Sequence, residues 1–333
     1  MMRSHVLRNC IDGLVAFEDR FDTVSSKDAA WICERLTWHK LLPLAANLDD
    51  PDKPKCPELA ACFHSSIIKN AIRERQYESQ VRGIFRMFDE AALEYMPYKG
   101  PFWMQNSYPD YSWRHIGDID IIMPNDAARK AAALLKEEGY FPIVVGASED
   151  ADFERRGELT LFNDPSRTHE VPVQLHWSPL PSPRFYKKDL MLIEAFKHGA
   201  TIEEWKGLRF LVPPPETQFL YYILHATCQH QFLRFSHIMA PIHCMVKTPC
   251  LDWDSVYDLA AEGQALIPLL YGLKFIQKFY PLPEGARRLM ERLSKPTTKT
   301  WLAAACLSPN SILFATRKRG GYRRKIFRAA MSW

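Results

Sequence analysis

The chain has 333 residues, of which 47% are hydrophobic and 25% charged. That is ordinary globular usage, long enough for about two domains and for a core that needs neither disulfides nor a structural metal. No run of about 18 apolar residues occurs, and Asp12, Glu18 and Asp19 follow the basic N-terminus before any long apolar stretch. A membrane span and a signal peptide are therefore not expected, and the reading is a cytoplasmic protein. The net charge of +4 is uneven, because seven basic residues and no acid lie between Arg317 and Arg328. Without those seven positive charges the body stands at −3, so it is not read as a nucleic-acid binder.

In chain order, Ser25 and Ser26 cap a helix expected to run from Lys27 to about Asn47, where the Asp/Pro-rich segment 49–54 breaks it. From about Pro57 to Glu94, Leu59, Phe63, Ile67, Val81, Ile84, Phe85 and Phe88 recur at helical spacing, giving two helices or one long one. Tyr95 to Lys99 is a short strand ending at Gly100. Asp118 to Met123 alternates strictly and is a second strand. Asn125 or Asp126 caps a helix to Glu138, closed by Gly139.

Strands follow at Phe141–Val145, Leu159–Phe162 and Val171–Trp177, the last two joined by a turn-rich segment. Thr201–Trp205 and Leu208–Val212 make a hairpin around Lys206-Gly207. After Pro213–Pro215 the pattern is helical again, over Glu216–Phe235, Trp253–Glu262 and Ile267–Phe279. The fold class is α+β: a mixed-sheet core at 95–185, helices at 1–94, a hairpin and helices at 186–312, and a basic tail at 313–333. The eight cysteines show no Cys-x-x-Cys pair or zinc spacing and read as reduced, mostly buried thiols.

Gly-x-Gly-x-x-Gly, P-loop and Gly-x-Ser-x-Gly motifs are absent. What stands out is Lys99-Gly100, Tyr108-Pro109-Asp110, Arg114 and Gly117-Asp118-Ile119-Asp120-Ile121. Residues two apart on a strand share a face, so Asp118 and Asp120 point one way while Ile119 and Ile121 enter the core. Two carboxylates about 7 Å apart repel unless a cation lies between them, and Mg²⁺ is commonly held by one or two carboxylates plus substrate phosphates. The plain alternative is the polar outer face of an edge strand.

This constellation resembles the nucleotidyltransferases of the DNA-polymerase-β-like superfamily, and within it the uncharacterised nucleotidyltransferase family. The matching elements, in order, are Lys99-Gly100, Tyr108-Pro109, Arg114, Gly117-Asp118-Ile119-Asp120-Ile121, Gly139-Tyr140 and Leu175-His176-Trp177, with His225, His230 and Asp252-Trp253 fitting loosely. The likeness runs from about Trp38 to Phe279. It implies a nucleotidyltransferase-fold core in which Asp118 and Asp120 hold Mg²⁺ and a nucleotide passes from an NTP to a hydroxyl or phosphate acceptor, releasing pyrophosphate. Lys99, Gly100, Arg114 and Gly117 are the implied nucleotide-binding residues, with a short helix after Gly100 facing the phosphates. The bland readings of Lys99 and Arg114 are a surface lysine and an ion pair with Asp110 or Asp118.

One departure concerns catalysis. Relatives carry Asp or Glu two positions before the His-Trp, where this chain has Gln174. An amide can ligate Mg²⁺ but brings no charge and cannot act as a base. His176 lies on the same face as Gln174, either as a base or as a hydrogen-bonded scaffold residue. Glu170 is about 13 Å along the strand, too far to replace Gln174.

His225 and His230, five residues apart, would lie about 140° apart on an α-helix and read as a packed or capped pair. Three functions stay open: a transferase, an NTP-binding or protein-interaction module without turnover, and a nucleic-acid-modifying toxin using the basic tail. Some relatives sit in peptide natural-product pathways, so a peptide or a small molecule is an acceptor class to test.

Overall fold

In the computed structural model, residues 2–50, 52–53, 55–100, 113–144, 148–155, 157–163, 171–179 and 196–294 are described. The Ile-Asp-Ile alternation expected of residues 118–123 forms strand β2, Ile119–Ile122, and Ile119 and Ile121 are fully buried. Beside it runs β1, Met96–Pro97, antiparallel, with Pro97 opposite Ile121. Phe141–Ile143 is β3, Glu158–Phe162 is β4 and Val173–His176 is β5. They complete a mixed five-stranded sheet of order β1-β2-β5-β4-β3, in which only the β2–β5 pair is parallel. β2 is therefore an interior strand, and the edge-strand alternative fails for Asp120, the aspartate it carries.

The chain divides into two units by its contacts, residues 1–70, 112–115 and 219–333 in one, and 71–111 and 116–218 in the other. The second unit holds the sheet. Its helix Asn125–Glu137, after Pro124, buries Ala127, Ala128, Ala131, Ala132 and Leu135. That spacing lays a single small-residue stripe on β3 and β5. Glu149–Arg155 adds a short helix against β4, with Phe153 stacked on Trp177 at 4.6 Å.

The predicted hairpin forms as β6, Thr201–Trp205, and β7, Leu208–Val212. Lys206 and Gly207 both have positive φ, 50° and 79°, the conformation a two-residue turn matched to strand twist requires. Lys206 Nζ reaches Glu74 and Glu78, each at 2.9 Å, and Trp205 meets Tyr77 edge-on at 5.9 Å. Both acids and Tyr77 lie on the long helix Pro57–Glu90, which is continuous over 34 residues.

The other unit is helical. Labelled in chain order over the described residues of both units, the helices are α1 Met2–Ala16, α2 Ser26–Trp38, α3 Leu42–Asn47, α4 Pro57–Glu90, α5 Asn125–Glu137 and α6 Glu149–Arg155. α7 Pro215–Leu224, α8 Ser236–Lys247, α9 Trp253–Glu262, α10 Leu266–Ile276 and α11 Glu284–Leu293 follow. The helix expected to run unbroken to Asn47 is two, because Lys40 turns left-handed (φ 57°) and Pro43 has no N–H to continue the ladder. α1 packs through Leu7, Cys10, Ile11 and Leu14, all fully buried, and Arg8 donates to the Lys278 carbonyl at 2.6 Å. The seven described cysteines are free, but only Cys10, Cys228 and Cys244 are buried, fewer than expected. No helix among the described residues is long and apolar enough to cross a membrane.

Candidate active site

Cross-strand partners place their side chains on one face of a sheet. The registers Asp120↔Gln174 and Gln174↔Thr160 form one row across β2, β5 and β4, and Ile122↔His176 with His176↔Glu158 form the next. Gln174 thus sits directly opposite Asp120. His176, two residues on, reaches Asp120 diagonally, with its Nε2 at 2.8 Å from Oδ1. Asp120 is an acceptor there, so Nε2 carries the proton and donates.

The same carboxylate oxygen receives a second donor. Lys99 Nζ stands 3.0 Å from Asp120 Oδ1, and the exposures of the Lys99, Asp120 and His176 side chains are 9%, 5% and 0%. Asp120 is thus buried, and Lys99 is a buried residue rather than a surface one. Burial by itself would raise the Asp120 carboxyl. The Lys99 charge and the His176 hydrogen bond outweigh it and hold the group well below the usual carboxylate range.

Two residues absent from the sequence reading complete this cluster. Tyr98 donates its hydroxyl to the Pro179 carbonyl and lays its ring 5.0 Å from that of His176. Glu158 faces the far side of the imidazole, with Oε2 3.6 Å from Nδ1. Glu158 was legible: it precedes Leu159 and Leu161, which are buried, and so belongs on the polar face by alternation.

The backbone explains how Lys99 arrives. Tyr98 N–H bonds the Asp120 carbonyl at 2.9 Å, extending the β1–β2 pairing by one residue. Lys99 and Gly100 then both turn left-handed, with φ of 57° and 60°. Glycine takes that conformation freely and lysine does so at a cost.

The remaining predicted residues are scattered. Asp118 and Gly117 are half-buried and lie immediately before β2. Arg114 falls in the helical unit, where its carbonyl accepts from Asn70 Nδ2 at 2.8 Å and its charge helps depress the His243 imidazole. Tyr108, Pro109, Asp110, the segment 101–106 and Glu170 lie outside the described residues, as does the basic tail.

His225 and His230 do meet, contrary to the α-helical geometry. Residues His225–Gln229 form a π-helical turn, and the His230 N–H bonds the His225 carbonyl at 3.1 Å. Such a turn closes after five residues instead of four, bringing the two rings onto one side. Their Nε2 atoms are 3.1 Å apart, one donating to the other, and His237 stacks on His230 at 4.0 Å. Asp252 caps α9, accepting from the Asp254 and Ser255 N–H groups, and so serves the helix end. Among the described residues no group of three His, Cys, Asp or Glu side chains is placed to hold a metal ion.

A family model described as uncharacterised nucleotidyltransferase matches residues 25–281 of this chain. A comparison with curated proteins finds no match.

Proposed function

The chain belongs to the uncharacterised nucleotidyltransferase family, and from that premise we propose that it transfers a nucleotide from an NTP to a hydroxyl or phosphate oxygen of an acceptor. In that reaction the acceptor oxygen bonds to the α-phosphorus as the α–β bridging bond breaks, and pyrophosphate leaves. The observation that supports this most is Asp120: a carboxylate kept ionised on an interior strand, beside a left-handed Lys-Gly turn.

Asp118 and Asp120 are the residues that would hold Mg²⁺. An all-oxygen pair suits that ion, whose other oxygens would come from the triphosphate and water. When bound, the ion neutralises the triphosphate and polarises the α-phosphorus. Lys99, Gly100 and Gly117, all of the sheet unit, are the nucleotide-binding set in this reading. His176 acts as a positioning residue for Asp120: its Nε2–H is already committed to that carboxylate, and its ring is sealed by Tyr98.

Incubation with each labelled NTP and Mg²⁺, across candidate peptide and small-molecule acceptors, tests the proposal. Label transfer is expected, with Asp118→Asn and Asp120→Asn each lowering it by roughly 100-fold or more. NTP binding with no transfer to any acceptor, by the wild type or by Gln174→Glu, would sink it. That outcome is the second reading, a binding module without turnover, which Gln174 favours because it sets an uncharged amide opposite Asp120. Gln174→Glu then separates the two, since restored transfer in the variant identifies a weakened enzyme.

A further inference from the structure

We propose that Lys99 is a resident counter-ion of the Asp120 site, which must leave Oδ1 before a divalent ion can be held there. Ion binding then waits for a triphosphate to take over the lysine. This rests on the nucleotidyl-transfer reading and adds an order of events to it.

The geometry sets up a competition for one atom. The Lys99 ammonium and the His176 Nε2–H both point at Asp120 Oδ1, at 3.0 and 2.8 Å. An Mg²⁺ ligand distance is about 2.0–2.1 Å, so an ion on that oxygen would press against the ammonium in a setting with little water to screen the two positive charges. The side chain exposures of Lys99 and Asp120, 9% and 5%, leave neither charge with bulk solvent as a substitute partner. With solvent largely excluded, an anion is a suitable new partner for the ammonium as it leaves Asp120, and triphosphate oxygens are such an anion. The left-handed pair at Lys99 and Gly100 is the natural place for that movement, because lysine has a lower-energy backbone conformation to go to.

Thermodynamic linkage makes the coupling reciprocal: whatever the triphosphate gains for the ion, the ion gains for the triphosphate. Removing the ammonium should break this coupling in a defined way. In the full-length protein without nucleotide, Mn²⁺ binding followed by electron paramagnetic resonance should be weak in the wild type and about tenfold tighter in Lys99→Gln. Lys99→Met, similar in length and without a polar head, gives the same readout should the glutamine variant not fold. Lys99→Arg keeps the charge and should bind Mn²⁺ as weakly as the wild type. Adding Asp120→Asn to Lys99→Gln should erase the gain.

Equal Mn²⁺ affinity in the wild type and the uncharged variants overturns the proposal, and so does a gain that survives Asp120→Asn. The two readings fail separately. Tighter Mn²⁺ in Lys99→Gln with no NTP transfer by the wild type defeats the enzyme reading alone. Transfer by the wild type with unchanged Mn²⁺ affinity defeats the counter-ion alone.

Discussion

Lys99 and Asp120 were both named from the sequence as phosphate and metal contacts, and the structure joins them to each other. Motif spacing carries no information about such a pairing, because the lysine reaches the aspartate through a left-handed turn and not along a strand. A second residue whose meaning is spatial is Gly272 on α10. A Cβ built there would lie 2.6 Å from Ile223 Cγ2 and 2.8 Å from Cδ1, on α7. Gly272→Ala should therefore destabilise the protein by about 1–3 kcal/mol. Combined with Ile223→Ala the clash disappears, so thermal melts of the double-mutant cycle should show strong non-additivity.

At the scale of elements, alternation and helical spacing did most of the work. β2, β4, β5 and the β6–β7 hairpin lie within a residue or two of where period two put them. α1 went unread although Leu7, Cys10, Ile11, Leu14 and Val15 follow the i, i+3, i+4, i+7, i+8 rule; its burial confirms the pattern. The π-helical turn at His225–Gln229 had no such signal, because one inserted residue changes which side chains align while leaving composition unchanged. For the hairpin, a Cβ at Gly207 would meet nothing within 4 Å, so Gly207→Ala should act through the backbone alone. At φ 79° the expected loss is about 1 kcal/mol, read as a lower melting temperature with unchanged refolding.

For the whole molecule, buried imidazoles tie stability to pH. His243 is pushed down to about 3, first by burial and then by Arg114 and Lys247, and Phe17 covers its ring at 4.6 Å. His237 is likewise lowered well below its ordinary value, first by burial and then by His230. These groups stay neutral in the folded state while the unfolded chain protonates near 6.5, so their contribution is full above that pH and is lost as pH falls toward 3. Chemical denaturation between pH 7 and 5 should show stability falling on acidification, by up to about 1.4 kcal/mol per pH unit for each histidine. His243→Leu should flatten that slope; an unchanged slope would remove His243 from the account.

The residue order alone determined the α+β class, the strand carrying Asp120 with Asp118 just before it, the family likeness, and the absence of a charged residue at position 174, because each depends on periodicity or on local motif. Tertiary structure alone decided that β2 lies inside a mixed sheet, that Gln174 faces Asp120, and that Lys99, His176 and Glu158 gather around one buried carboxylate. Those are matters of strand order and register between segments that lie from 18 to 56 residues apart. No local pattern encodes which strand lies beside which, and the energy that selects the arrangement comes from the packed sheet as a unit.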